Sequence, residues 1–194
     1  MGKRCILVLV LLGLFCNDCI YYDLYFNRNY YRPEQGASSH PILPHFRLAK
    51  PEPYRLKTED LIDTAVIYVR KYKILEEDEI YFLRFFGNGR VASGFLTKDS
   101  LSYNNIKRSV AGYYRMRSPM ELELQQFLAY SITHASYEYS RGIIRGDTIF
   151  MFSDPPKNKK LPEPFIKPKL PKEHSNCIFY IKQKVDTLTG TPDW

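Results

Sequence analysis

Apolar and polar residues alternate with a period of two over much of the chain, and the pattern is clearest in its middle third. Residues 80–86 read IYFLRFF, and such aromatic and branched side chains favour the half-buried surface of a sheet. Gly-Asn-Gly follows at 87–89, and these residue types accept the positive φ of a tight hairpin turn. The pattern therefore predicts a hairpin in which residues 90–96 form the return strand.

Further segments with strand character lie on both sides of this hairpin. Residues 121–125 alternate Glu with Leu, which predicts a strand with Leu122 and Leu124 facing inward. A helix over 119–130 is the alternative, because Leu, Glu and Gln are good helix formers. Arg-Gly-Asp at 145–147 predicts a second hairpin turn. The other predicted strands are 61–72, 109–116, 135–144, 148–152 and 177–181.

Strands at about ten-residue spacing, with no helical pattern between them, predict the fold class. We expect an all-β domain: an antiparallel meander that forms a small barrel, closed or partly open. Closure would remove the exposed strand edges through which such a sheet aggregates. The domain is predicted to span 59–185, with a Pro- and Lys-rich loop over 155–175 and a C-terminal tail over 186–194.

The N-terminal residues have the pattern of a secretory signal. Two basic residues at 3–4 precede an unbroken apolar run at 5–15. A helix of that length, at about 1.5 Å per residue, is too short for a hydrocarbon core of about 30 Å, so a signal peptide is predicted over 1–19. Cys16 resembles the cysteine at which bacterial lipoprotein signals are cut and lipidated, and Cys19 is the alternative.

Residues 20–58 are predicted to form a tether between this signal and the domain. Its first part, 20–31, is rich in Tyr and Phe and fits an edge strand, a membrane-interface patch or a first strand of the domain. Pro, Gly and Ser between residues 33 and 53 favour an extended chain. His40 and His45 lie in this stretch, and we expect both in solvent.

Length and composition indicate one globular domain. The 194 residues with 44% hydrophobic content are sufficient for a core with flanking segments. The net charge of +7 arises from 28 basic and 21 acidic residues, but part of the excess lies at the N-terminus and in the Pro-rich loop. The charge is therefore weak evidence for a nucleic-acid surface, and nucleic acid is not the expected partner.

No motif for catalysis or metal binding can be found in the sequence. Phosphate-binding loops, HExxH and nucleophile elbows are missing, and Cys177 is the single cysteine of the predicted domain. His134 and Glu138 in one strand would lie about 13 Å apart, too far to share a metal ion. We therefore expect no catalytic residues, no metal and no cofactor. A hydrolase using Glu138 or Asp147 is the weakest alternative.

Signal, tether and Tyr-rich meander together resemble small envelope lipoproteins of Gram-negative bacteria with lipocalin-like β-barrels. The segments that carry the resemblance are Phe86-Gly87-Asn88-Gly89-Arg90-Val91, Gly112-Tyr113-Tyr114-Arg115 and Ile144-Arg145-Gly146-Asp147-Thr148-Ile149. The resemblance implies a non-enzymatic protein with a binding or structural role, anchored in the cell envelope on its periplasmic or outer-membrane face. Its partners would be the membrane, through the lipid, and a small apolar ligand or an envelope protein. The alternative is a soluble basic module that holds nucleic acid through Tyr, Arg and Lys.

Overall fold

A computed structural model of the protein describes residues 30–74, 77–96, 101–130, 135–153 and 177–194. These ranges contain ten β-strands and two 3-10 helices, at Ser102–Asn104 and Ile106–Arg108. The strands are β1 (Tyr30–Tyr31), β2 (His40–Pro41), β3 (Ile67–Ile74), β4 (Glu77–Phe85), β5 (Arg90–Phe95), β6 (Val110–Ser118), β7 (Glu121–Ala129), β8 (Ala135–Arg145), β9 (Thr148–Ser153) and β10 (Cys177–Gln183). No helix of these ranges is long and apolar enough to cross a membrane.

Strands β3 to β10 form a closed antiparallel barrel. Each strand pairs with the next one in the chain, and β10 pairs with both β9 and β3. Every strand of the barrel therefore has a hydrogen-bonded neighbour on each side, so the barrel has no open edge. The predicted fold class, an all-β antiparallel meander closed into a small lipocalin-like barrel, is confirmed.

The predicted hairpins and the disputed strand are also confirmed. Gly89 in the β4–β5 turn has φ 78°, and Gly146 in the β8–β9 turn has φ 56°, both in the left-handed region that glycine tolerates. Residues 121–129 form strand β7 and not a helix. Leu122 and Leu124 point into the barrel and are 0% and 2% exposed. The period of two was thus the decisive signal, and intrinsic helix propensity was overridden by sheet pairing.

One end of the barrel is filled with apolar side chains and crossed by the preceding chain; we call it the closed end. The Leu56 N–H donates to the Gly87 carbonyl at 2.9 Å, and the Leu61 N–H donates to the Pro119 carbonyl at 3.0 Å. These bonds hold residues 54–66 across the turns of the closed end. The inner core packed above them includes Tyr68, Leu83, Phe85, Val91, Tyr114, Met116, Leu122, Leu124, Ile144, Ile149, Met151 and Tyr180.

The first barrel strand begins at Ile67, so the predicted start at residue 61 is wrong. Ile62 and Val66 are buried against the core at the closed end, although neither belongs to a strand. Their apolar character mimics the alternation of a strand, because a segment that covers a barrel also buries only part of its side chains. The sequence pattern could not separate these two situations.

Residues 30–53, which belong to the predicted tether over 20–58, lie against the outer face of the barrel. Strands β1 and β2 pair with each other, and Tyr30, Phe46 and Leu48 are buried in a cluster with residues of β6 and β7. Gln125 fixes this contact, because its side-chain Oε1 accepts hydrogen bonds from the N–H groups of Arg47 (2.7 Å) and Leu48 (3.2 Å). In the part that the structure describes, this segment is packed onto the domain instead of extending away from it.

His40 is buried, so the prediction that it lies in solvent is wrong; His45 is exposed as expected. The His40 side chain is 2% exposed, and its Nε2 donates to the Ser109 carbonyl at 3.1 Å. Its ring also meets the ring of Trp194 edge to face at 5.4 Å. The Pro- and Gly-containing sequence around His40 indicated an extended backbone, but it carried no signal for the surface on which that backbone lies.

This burial predicts a pH dependence of stability. Burial lowers the pKa of His40 from its ordinary value of 6.5, and the hydrogen bond to Ser109 and the charge of Asp193 only partly oppose this effect. The unfolded chain takes up a proton near pH 6.5 that the folded chain resists, so stability should fall as the pH drops below about 6.5, by up to about 1.4 kcal/mol per pH unit. Urea unfolding between pH 7.5 and 5 measures this slope. In the variant His40→Asn, the free energy of unfolding should depend less steeply on pH. An unchanged slope in that variant would contradict the assignment of the pH dependence to His40.

The tail over 186–194 has no structural signal in its sequence, yet it also packs on the outside of the barrel. Leu188 contacts the outer cluster of β3 and β4, and Thr189 donates its N–H to Asn104 Oδ1 at 2.9 Å. Arg84 on β4 donates to the Thr189 carbonyl and to Asn104 Oδ1. The main-chain oxygen of Trp194 accepts from Tyr113 at 3.0 Å. This segment and residues 30–53 together cover much of the outer face.

Candidate ligand-binding cavity

The end of the barrel opposite the closed end contains a cavity of about 310 Å³. We call it the open end. The cavity is lined by residues of six barrel strands and the residue that follows β7. They include Arg70, Tyr81, Leu124, Gln126, Leu128, Tyr130, Glu138, Ser140, Met151, Ser153, Ile178 and Tyr180. Polar and apolar side chains thus contribute to the same wall.

On several strands, the inner face changes from apolar to more polar residues toward the open end, where the cavity lies. On β7 the inward residues are Leu122 and Leu124 near the closed end, followed by Gln126 near the open end. On β8 the order is reversed, since the strand runs the other way, from Ser140 toward the buried Ile144. Large apolar side chains therefore fill one half of the barrel, whereas polar side chains such as Gln126, Glu138 and Ser140 replace some of them in the half that contains the cavity.

A hydrogen-bonded group of three side chains lies between the two halves. Ser93 is completely buried, and its Oγ lies 2.8 Å from the Tyr81 hydroxyl and accepts a hydrogen bond from Gln126 Nε2. Ser93 and Gln126 belong to β5 and β7, so Gln126 must pass over β6. Gly112 of β6 makes this possible, because a Cβ there would lie 3.1 Å from Gln126 Cγ and 2.8 Å from Val91 Cγ1.

The cavity has one basic and one acidic side chain. Arg70 is on β3 and Glu138 is on β8, and two strands, β10 and β9, separate them on the shorter way round the barrel. Ser136 Oγ donates to Glu138 Oε1 at 2.6 Å. Burial first, and then the hydrogen bond to Glu138, raise the pKa of Tyr130. The Tyr130 hydroxyl therefore stays protonated and is the donor in this hydrogen bond.

The two carboxylates of the hydrolase hypothesis are not brought together. Glu138 lines the cavity at the open end, whereas Asp147 is in the β8–β9 turn at the closed end, 3.6 Å from Lys182 Nζ. Among the described residues, no group of three or more His, Cys, Asp or Glu side chains is placed to hold a metal ion. Cys177, at the start of β10, has a free thiol whose pKa is raised by partial burial.

A second cavity, of about 270 Å³, lies beside β4 and β5 and shares Tyr81 with the first. Its arginine, Arg108, is engaged by residues of the N-terminal segment: its Nε lies 2.7 Å from Glu34 Oε1, and its Nη2 donates to the Gln35 carbonyl. The cationic group of this cavity is thus used in attaching the segment 30–53. The barrel cavity is the better candidate for a ligand site, because six barrel strands line it, whereas residues outside the strands, such as Ser102 and Asn105, form part of the second cavity.

Most residues of the cavity were not singled out from the sequence. The sequence raises Glu138 only as a candidate metal ligand or hydrolase residue, and it gives no indication for Arg70 or Gln126. The available signal was the position of polar residues on the inward face of predicted strands. The positions of these polar residues do not show which of them share a cavity. Only the closing of the barrel places β3 and β8 on opposite sides of it.

The predicted lipidation site lies outside the described residues. This holds for Cys16, its alternative Cys19 and the whole signal peptide over 1–19, as well as for His134 and the Pro- and Lys-rich loop over 155–175. No protein-family model, curated protein or solved structure matches the chain. The fold and the cavity residues therefore carry the functional inference.

Proposed function

We propose that the protein is a non-enzymatic, membrane-anchored binding protein of the cell envelope that holds a small molecule in the open end of its barrel. The observation that supports this proposal is the asymmetry of the interior. One end is filled and crossed by residues 54–66, and the other end has a cavity of about 310 Å³ lined from six strands. Small ligands commonly bind in the mouths of β-barrels of this size.

The lining favours a ligand with polar groups as well as apolar ones. A purely apolar ligand would remove Arg70, Gln126 and Glu138 from water without replacing the lost hydrogen bonds, which is unfavourable. Leu124, Met151 and Ile178 offer apolar contact in the same cavity. We therefore modify the expectation of a small apolar ligand and propose an amphiphilic one.

The anchor is proposed from the N-terminal sequence. An acylated cysteine at 16 or 19 would attach the protein to the envelope membrane, since each buried methylene contributes about 0.8 kcal/mol. Tyr30 is buried on the outer face of the barrel, so the chain between anchor and domain is short. From Cys16 to Tyr30 a chain can reach at most about 50 Å. The barrel would therefore stay close to the membrane surface.

The test uses protein extracted from the membrane fraction of its own host. Its denatured mass should match cleavage before Cys16 or Cys19 plus acyl groups, and Cys16→Ser or Cys19→Ser should abolish this mass. An unmodified full-length chain would overturn the anchor. Titration with the neutral fluorophore Prodan should show one saturable site with blue-shifted emission, because the dye would enter a partly apolar cavity.

Two tryptophan variants locate the binding site. Ser140→Trp places an indole in the cavity and should weaken Prodan binding by at least about tenfold, because the ligand and the indole compete for the same space. Gln183→Trp adds the same side chain at an exposed position near the closed end and should leave binding unchanged. Absence of saturable binding, or equal effects of both variants, would contradict a ligand site in the barrel. Salt-dependent binding of single-stranded DNA instead would favour the nucleic-acid alternative.

A further inference from the structure

The charges of the cavity specify a ligand class more narrowly than its volume does. Arg70 and Glu138 are on β3 and β8, three strand steps apart around an eight-stranded barrel. With strands about 4.8 Å apart and tilted as in small barrels, the two backbones are separated by about 14 Å across the interior. Both residues line the cavity, so a basic and an acidic side chain belong to walls that face each other.

The Glu138 wall is suited to a cation. Ser136 donates to its Oε1 at 2.6 Å, and the Tyr130 hydroxyl also donates to the carboxylate, so two neutral donors orient it. A carboxylate has about four lone-pair positions, which leaves acceptor capacity for an ammonium group. Tyr81 and Tyr180 line the same cavity, and tyrosine rings attract cations through their faces.

The Arg70 wall is suited to an anion. A guanidinium group presents five N–H donors in a planar fork that matches a carboxylate or a phosphate. Hydroxyl groups of Ser140 and Ser153 and the amide of Gln126 line the cavity as further polar partners. A ligand with a negative charge alone would also face Glu138, and a ligand with a positive charge alone would also face Arg70. Such like-charge contacts disfavour both kinds of ligand.

We propose that the cavity binds a zwitterionic small molecule of the amino-acid or short-peptide type, with its anionic group at Arg70 and its ammonium group at Glu138. This inference rests on the proposed ligand site in the barrel. Leu124, Met151 and Ile178 contact the apolar part of the ligand between the two charged groups. The closed end sets the maximum depth, so the ligand is a single small molecule and not an extended chain that passes through the barrel.

The test is competition against bound Prodan by four matched dipeptides. Glycyl-leucine is zwitterionic, its N-acetyl derivative is only anionic, its amide is only cationic, and the doubly blocked form is neutral. Glycyl-leucine should displace Prodan at concentrations at least about tenfold lower than each of the other three, because it alone satisfies both walls. Equal competition by the four compounds, or stronger competition by a singly charged one, would overturn the zwitterion assignment while saturable Prodan binding still supported the cavity.

Substitutions of Arg70 and Glu138 distinguish a role in ligand recognition from a role in the stability of the barrel. Arg70→Gln should remove the advantage of a free carboxylate, and Glu138→Gln should remove the advantage of a free amine, when competition is scored against the Prodan affinity measured for each variant. Exposed charges outside the cavity provide the controls Lys71→Gln and Glu52→Gln, which should leave the ranking unchanged. If Arg70→Gln does not fold, Arg70→Lys keeps the charge, loses the planar fork and should lower the carboxylate preference. If the Arg70 and Glu138 variants fold and the four dipeptides still compete in the same order, the two residues have only a structural role in the barrel.

Discussion

Replacing Gly89 with alanine is expected to lower the free energy of unfolding by about 2 to 5 kcal/mol. Gly89 has φ 78°, and a Cβ at this position would lie 2.3 Å from the Tyr54 carbonyl oxygen and 2.7 Å from the Tyr54 nitrogen. Both atoms belong to the main chain, so no rotation of a side chain can relieve the contact. The substitution should push residues 54–66 away from the closed end. Urea unfolding followed by circular dichroism measures the loss.

Gly146→Ala is the matched control for this prediction. Gly146 also has a positive φ, 56°, and is also in a hairpin turn, but a Cβ there would have no heavy atom within 4 Å. Its substitution should therefore carry only the conformational cost of the left-handed region, about 1 kcal/mol. The difference between the two variants reports the contact with Tyr54. Equal losses in both would show that the segment does not lie against the β4–β5 turn.

Gln125→Leu is expected to cost about 2 to 3 kcal/mol and to loosen the segment 30–53 from the barrel. Gln125 is 4% exposed, and its Oε1 is the acceptor for the N–H groups of both Arg47 and Leu48. Leucine has a similar volume but offers no acceptor, so these donors would lose their partner beside a buried apolar cluster. Hydrogen exchange at the two amides, together with urea unfolding, gives a local and a global measure of the effect.

Gln125→Glu separates the acceptor from the shape of the side chain. Glutamate keeps an oxygen in the same place, so the amides of Arg47 and Leu48 should exchange nearly as slowly as in the unsubstituted protein. In Gln125→Leu, the amides of Arg47 and Leu48 should exchange their hydrogens faster, while exchange in the barrel strands should change less. Slow exchange at both amides in Gln125→Leu would contradict the described attachment of this segment.

The barrel itself could be predicted because its signals are local. Gly-Asn-Gly at 87–89 and Arg-Gly-Asp at 145–147 specify turns within a few residues, and period-two alternation specifies the strands between turns. The same alternation placed Leu122 and Leu124 inside correctly. Such signals depend only on neighbours in sequence, so they can be interpreted without knowledge of the tertiary contacts.

The outer segments and the cavity could not be predicted, because they depend on contacts between residues remote in sequence. His40 is bonded to Ser109, 69 residues later, and Arg84 is bonded to Thr189, 105 residues later. Neither pair leaves a periodic pattern. In the same way, Arg70 and Glu138 become opposite walls of one cavity only when β10 closes the barrel against β3.

The pairing of β10 with β3 has a consequence for biosynthesis. β3 ends at Ile74 and β10 begins at Cys177, so about a hundred residues must be translated after β3 before its second partner exists. At about 5 to 20 residues per second this takes roughly 5 to 20 s. During that interval β3 has an unpaired edge, and incomplete chains can pair with each other through it. Yield should therefore depend on the rate of translation and on chaperones that cover strand edges, even though the finished barrel has none to cover.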